Sequence, residues 1–464
     1  MFAFDRSDTV LVIGLGRSGL ASIEVLRARG ATVFATDEMP PERIAAAIAA
    51  AEGFGARFLP PQQLESVLAR LTSAVLSPGV PPTSPVAQAL ARVNLPVVGE
   101  IELAYRLCKA PIVAVTGTKG KSTTTALIGH LLRAGGRNVH VGGNIGNPLI
   151  KEVLDAKSDD WVVAEVSSFQ LETIRAFKPR VSVLLNIAPD HLDRYFSMDE
   201  YAEAKYRIFA NQAMSDWFVG NLDDPRIAEL HWRNGDARAQ ARQLWFTLGA
   251  NHDRATMFAR DGVLTYVPVT GDPRPIAIAG RQDLRLPGEH NLRNAMAALL
   301  AVLAAGLPPA GLSRALRTFE PMPHRLEPVA EIDGVLYVND SKATNPDATI
   351  AALKSFERPI VLIAGGRAKG TGFEQLGRAI AARAKLLVAI GESAPALVDA
   401  AAGANAIVAA SLEEAVRAAA AAAAPGDAVL LSPACASFDM FDSAEDRGRR
   451  FAAAVTAMRE PAGA

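Results

Sequence analysis

The stretch Val113-Ala-Val-Thr116-Gly117-Thr118-Lys119-Gly120-Lys121-Ser122-Thr123-Thr124-Thr125 constrains this chain most, because a short apolar run passes through glycines into a segment that reads as a helix. Gly117 and Gly120 let backbone N–H groups approach phosphate oxygens, and the positive end of the following helix faces them. The Lys121 ammonium neutralises charge there, and the Ser122 hydroxyl can ligate Mg²⁺. A full Walker A loop needs a glycine five residues before Gly120. That position is Val115, so only the compact form Gly117-x-x-Gly120-Lys121-Ser122 is present. A ligand-free turn is the alternative, but glycines, lysine and hydroxyls coinciding after a strand argue for a phosphate cradle.

Upstream, Thr9–Ile13 reads as a buried strand, followed by Gly14-Leu-Gly16-Arg17-Ser18-Gly19, a helix over 20–29 and a second strand ending at Asp37. This is the dinucleotide spacing GxGxxG with an acidic residue about 20 positions on. The geometry it specifies is a diphosphate on a helix N-terminus with a ribose beside it. A UDP moiety satisfies that as well as a dinucleotide does, and a ligand-free Rossmann turn carries the same glycines. The strand 73–76 then runs into Ser77-Pro78-Gly79, another turn of the kind that lines the ligand edge of an open α/β sheet.

After the phosphate loop comes Gly142-Gly143-Asn144, where Asn144 serves either a turn or a phosphate and its metal. The strand at 161–165 ends in Glu165, with Ser167 just beyond, and a carboxylate there is costly to bury unless it is paired or binds metal. The next strand runs into Asp190-His191, so Glu165 and His191 share the edge that carries the phosphate loop, the arrangement of an NTPase metal site. Lys205 lies in a helix with apolar residues at helical spacing and by that pattern reads as a solvated face lysine. The helix from Glu289 has polar groups in its first turn, Asn291 among them, that could touch a nucleotide.

Three further strands end in polar clusters: Asn339-Asp340-Ser341-Lys342-Ala343-Thr344, Gly365-Gly366-Arg367-Ala368-Lys369 and Ala434-Cys435-Ala436-Ser437-Phe438. Lys342, Arg367 and Lys369 make this edge basic and suited to an acidic substrate. Cys435 has no base near it in sequence and reads as a buried thiol, not a nucleophile. The fold expected is α/β in three domains: a Rossmann-like domain over 1–108, a central P-loop ATPase-type domain over 109–321 and a Rossmann-like α/β domain over 322–464.

The length of 464 residues suits about three domains. Forty-eight basic residues against 49 acidic ones give a net charge of −1, which offers no argument for nucleic acid or an anionic membrane. Two cysteines make neither a disulfide framework nor a zinc site. The N-terminus lacks a signal-peptide pattern, and no stretch stays apolar for the ~20 residues a membrane helix requires. A cytoplasmic monomer acting on small molecules is expected.

Taken in order, these motifs resemble the Mur ligase family. The compact loop Thr-Gly-Thr-x-Gly-Lys-Ser-Thr also resembles that of folylpolyglutamate synthetases, but those generally lack the first domain. The stretches Asp340-Ser-Lys-Ala-Thr-Asn345 and Ser432-Pro-Ala-Cys-Ala-Ser437 resemble the D-glutamate-adding branch. The resemblance implies addition of D-glutamate to UDP-N-acetylmuramoyl-L-alanine, driven by ATP through an acyl phosphate. Gly117, Thr118, Lys119, Gly120, Lys121, Ser122 and Thr123, with Asn291, Arg325 and Asp340, would then bind ATP. Gly16, Arg17, Ser18, Asp37, Ser77, Pro78, Gly79, Asn144 and Ser167 would take the uridylyl substrate. Ser122 and Glu165 would hold one Mg²⁺, and His191 with a carbamylated Lys205 a second. Lys342, Thr344, Lys369, Ser437 and Phe438 would hold D-glutamate. One departure is Ala368, where many relatives carry an acidic residue. The motifs alone leave two other classes open: an NAD-dependent dehydrogenase using Gly14 to Asp37, and a non-catalytic nucleotide switch using the phosphate loop.

Overall fold

The computed structural model describes residues 4–81, 83–144, 146–190, 194–232, 240–249, 255–286, 288–320, 323–356, 358–368 and 372–458. The first sheet joins β1 (Thr9–Ile13), β2 (Thr32–Thr36), β3 (Arg57–Phe58), β4 (Ser73–Leu76) and β5 (Val97–Gly99), all parallel, in the order β3-β2-β1-β4-β5. The order reverses between β1 and β4, which opens a crevice at their carboxyl ends.

The second sheet adds β6 (Ile112–Thr116), β7 (Val139–Gly143), β8 (Trp161–Glu165), β9 (Val181–Leu184), β10 (Trp217–Asn221), β11 (Arg242–Thr247), β12 (Met257–Arg260), β13 (Val263–Tyr266) and β14 (Ile276–Gly280). Their order is β14-β13-β12-β11-β10-β9-β6-β8-β7, parallel except where β13 pairs with β12 and β14. β6 is buried on both faces, which is why its sequence is continuously apolar and does not alternate. It lies between β9 and β8, so its carboxyl end is the switch point of this sheet.

The first two sheets fall within one compact unit made of residues 1–284 and 290–319. Two buried carboxylates on the connecting helix Glu100–Leu107 bond to segments that flank the second sheet. Glu102 accepts the backbone N–H groups of Arg175, Ala176 and Phe177 at 2.8–3.0 Å and the Arg106 guanidinium at 2.8 Å. Glu100 accepts the N–H of Ile150 at 2.7 Å, while its second oxygen is buried without a partner among the described residues.

A second unit, residues 285–289 and 320–464, holds the third sheet. It joins β15 (Glu327–Ile332), β16 (Val335–Asn339), β17 (Ile360–Gly365), β18 (Ala384–Ile390), β19 (Ala406–Val408) and β20 (Ala428–Leu431) in the order β15-β16-β20-β17-β18-β19. Only β15 is antiparallel to its neighbour. The helix Ala444–Ala457 buries Arg447, Phe451 and Val455, spaced four apart on one face. The alanine-rich helix Leu412–Ala422 packs Leu412, Ala415, Val416 and Ala419 into the same core.

Candidate functional site

The phosphate loop leaves β6 at Thr116 and enters the helix Lys121–Ala134 through Gly120, whose φ of 82° lies in the left-handed region. A side chain at Gly120 would also collide with Asn294 Oδ1, 2.3 Å from an ideal Cβ. The loop is fastened to residues 186–188. The N–H of Thr118 donates to Asn186 O at 2.9 Å, the N–H of Lys119 to Asn186 Oδ1 at 2.8 Å, and Asn186 Nδ2 back to Lys119 O at 3.0 Å. The Ala188 N–H donates to Thr118 Oγ1 at 3.0 Å. The Lys119 N–H is thereby turned onto the protein, so the N–H groups at the start of the helix remain the ones aimed toward phosphate.

Two lysine side chains meet beneath this loop. Lys121 Nζ donates to the carbonyls of Gly117 at 3.0 Å and Thr118 at 2.9 Å, and Lys205 Nζ donates to the same Gly117 carbonyl at 2.9 Å. Lys205 is only 1% exposed, with its Nζ 4.6 Å from the centre of the Tyr201 ring. The solvated position that helical spacing suggested is therefore wrong. The mixed polar helix Met198–Tyr206 buries Tyr201, Ala202, Ala204 and Lys205. Burial, reinforced by the neighbouring Lys121, holds the Lys205 amine well below the usual lysine range.

Glu165 closes β8 and is 2% exposed. One carboxylate oxygen accepts Asn144 Nδ2 at 2.8 Å, and the other is buried with no partner among the described residues. Such an oxygen beside the buried Ser122 hydroxyl's loop suits a cation. His191 lies outside the described residues. Asn291 is buried on the helix Glu289–Ala304 and accepts Asn294 Nδ2 at 3.2 Å, which links it to the Gly120 turn. Asn294 and Asn186 were missed as site residues because only the folded chain brings them to the loop.

A groove of about 500 Å³ lies at the switch point of the first sheet and is lined by Gly14, Gly16, Arg17, Ser18, Asp37, Ser77, Pro78, Gly79 and Asn144. Met39, Val80, Gly143, Gly146, Pro148 and Gln170 complete it. Arg17 reaches across to the Gly146 carbonyl at 2.7 Å, so loops of both sheets form its walls. Gly19 has no room for a side chain, since an ideal Cβ stands 1.9 Å from Gly14 O. Asp37 accepts the N–H groups of Leu15 at 2.7 Å and Met39 at 2.9 Å, which closes the glycine turn. Ser167 does not line this groove: it caps the short helix Ser168–Leu171 in a capping box with Gln170.

In the second unit, Asp340 accepts the N–H of Leu326 at 3.2 Å and the Ser432 hydroxyl at 2.8 Å. Burial nevertheless pushes its carboxyl up to about 7, against the opposing pull of those hydrogen bonds and Arg325. The edge expected to be basic is largely neutralised. Lys342 pairs with Glu445 at 2.5 Å and Arg367 with Glu392 at 2.8 Å, while Lys369 lies outside the described residues. Ser437 is buried, Thr344 half-buried and Phe438 66% exposed. Cys435 is fully buried, its thiol 3.5 Å from Ser393 Oγ.

A phosphate loop at one switch point and a glycine-lined groove at another define a nucleotide-dependent enzyme of α/β type. The chain belongs to the Mur ligase family: the Mur ligase MurD-like N-terminal domain matches residues 8–99, the Mur ligase middle domain 115–302, and the Mur ligase glutamate ligase domain 324–435. It is an ATP-dependent, ADP-forming amide ligase that uses Mg²⁺. Among curated relatives, the UDP-N-acetylmuramoylalanine–D-glutamate ligase of Pelotomaculum thermopropionicum is 45% identical over 97% of this chain and 98% of its own length. The enzyme of that name from Geobacter metallireducens is 42% identical over 97% of each chain. The solved UDP-N-acetylmuramate–alanine ligase of Thermotoga maritima shares the fold at 20% identity and a TM-score of 0.58, covering 97% of this chain and 100% of that one. No helix among the described residues is long and apolar enough to cross a membrane.

Proposed function

We propose that this ligase adds D-glutamate to UDP-N-acetylmuramoyl-L-alanine in the cytoplasm as a monomer, with domain limits at 108/109 and 321/322. The observation that carries this reading is the pairing, in one compact unit, of a phosphate loop with a groove suited to a sugar nucleotide. A substrate carboxylate oxygen attacks the γ-phosphorus of ATP, and ADP leaves with the bridging oxygen's electrons. The amine of D-glutamate then attacks the acyl carbon, phosphate departs and the nitrogen loses a proton.

Lys121 and the N–H groups at the start of the helix Lys121–Ala134 hold the triphosphate, and Arg17, Ser18, Asp37 and Asn144 take the uridylyl substrate. Mg²⁺, when bound, shields the like charges of carboxylate and γ-phosphate. The Ser122 hydroxyl and a Glu165 oxygen would hold one ion, and His191 with a carbamylated Lys205 a second. Carbamylation requires a neutral amine, and burial beside Lys121 favours that form of Lys205. The resulting carbamate would exchange a repelling cation for a metal-binding anion.

The test measures phosphate release with ATP, UDP-N-acetylmuramoyl-L-alanine and D-glutamate, omitting each in turn. Release requires all three if the reading holds, and Lys121→Ala nearly abolishes it. Tight binding of NAD(H) with none of the uridine nucleotide would reverse the reading in favour of a dehydrogenase.

A further inference from the structure

We propose that the groove at the amino-terminal edge of the central sheet is a second anion site, built for a small phosphate-bearing molecule and separate from the ATP and uridylyl sites. This groove has a volume of about 550 Å³, comparable with the uridylyl groove. Its walls come from the segment that enters β6, from residues 176–180 that enter β9, and from Asp216.

Four cations line it: Arg106, Lys109, Lys178 and Arg180. The acids that answer them are Glu102, held to Arg106 at 2.8 Å, and Asp216, held to Arg180 at 3.3 Å. Both are also engaged by backbone. Glu102 takes three N–H groups, and Asp216 takes the N–H of Ala213 at 2.9 Å. Lys109 and Lys178 are exposed and make no hydrogen bond or ion pair among the described residues. Two cations are thus left for a ligand. The Tyr105 hydroxyl lines the same groove without a hydrogen-bond partner among those residues, and Pro111 and Ile112 add apolar wall.

Two ammonium groups and a phenolic donor on a wall kept electrostatically balanced by the Arg106–Glu102 and Arg180–Asp216 pairs suit phosphate oxygens. The site is not an extension of the phosphate loop. β6 runs from Ile112 at the groove to Thr116 at the loop, and the four steps between them span about 13 Å. A ligand here would touch the segment joining the first two sheets at one end of that strand, with ATP at the other.

Inorganic pyrophosphate is the probe, titrated calorimetrically into the full chain at low salt with ADP and UDP-N-acetylmuramoyl-L-alanine saturating. The wild type should retain a saturable binding event that weakens with added salt. Lys109→Ala/Lys178→Ala should weaken it roughly tenfold or more, since each lysine supplies a charge-assisted contact, with phosphate release from the three substrates unchanged. No residual binding in the wild type, or an unaltered isotherm in the double variant, overturns the site. Residual binding lost in Lys121→Ala but kept in the double variant assigns the event to the phosphate loop and overturns it equally.

Discussion

Replacing Glu100 by Gln should make the enzyme more stable above neutral pH and leave it little changed in acid. Glu100 sits at the first turn of the helix between the first two sheets, fully buried, with one oxygen on the Ile150 N–H and the other unpartnered among the described residues. Burial raises its carboxyl from 4.5 to about 7, opposed by the hydrogen bond from Ile150. Between those values the folded chain holds a proton that the unfolded chain has released, so stability falls as pH rises. The contribution is complete below about 4.5 and is lost as pH passes through about 7. The difference corresponds to about 3 kcal/mol at 1.36 kcal/mol per pH unit. Gln keeps the acceptor for Ile150 and cannot ionise. Melting of both proteins across the range from about pH 5 to pH 8 tests this. The variant should match the wild type at the acid end and exceed it progressively toward the alkaline end. A flat difference curve, or a wild type that gains on the variant as pH rises, would refute the claim that Glu100 is held neutral.

Gly143→Ala should lose both stability and turnover, since φ is +108° and a Cβ would stand 2.3 Å from Glu165 O. A cost above about 2 kcal/mol is expected from strain and clash together, read by melting and phosphate release. Lys205→Ala should fold yet lose most activity, and intact mass of the wild type under bicarbonate should show an added carboxyl; a bare, dispensable lysine defeats the carbamate. Lys342→Ala should raise the KM for D-glutamate roughly tenfold and leave that for ATP unchanged, because a charge-assisted contact is lost. Glu445 would then face the dianion without its partner, so Glu445→Ala in the same background should recover part of the loss.

What the sequence made legible is what parallel sheets write locally. Gly14, Gly16 and Gly19 stand where a strand must turn at once into a helix, and Asp37 and Ser77 end neighbouring strands, so they converge without any long-range knowledge. Other residues carry no such mark. Lys205 shares its helix with Asp199, Glu200 and Glu203, and nothing local distinguishes a buried amine from a solvated one. Arg447 is similar: surrounded by charged neighbours, it is fully buried and donates to Ser341 Oγ and to the carbonyls of Ser341 and Cys435. The pairing of Lys342 with Glu445, 103 positions later, also escaped a reading that counted lysines without seeing their partners. The role of Ser167 came from the resemblance alone, and a cap on a helix of only four residues leaves little local mark in the sequence.

The fastening of residues 118–119 to 186–188 has a thermodynamic consequence. A loop that must be frozen by its ligand subtracts the lost backbone freedom, on the order of 1–2 kcal/mol per residue, from the affinity it can deliver. Here that ordering is done during folding, by Asn186 and Ala188. The triphosphate therefore meets a rigid receptor, and its binding should show neither a large unfavourable entropy nor a slow isomerisation after encounter.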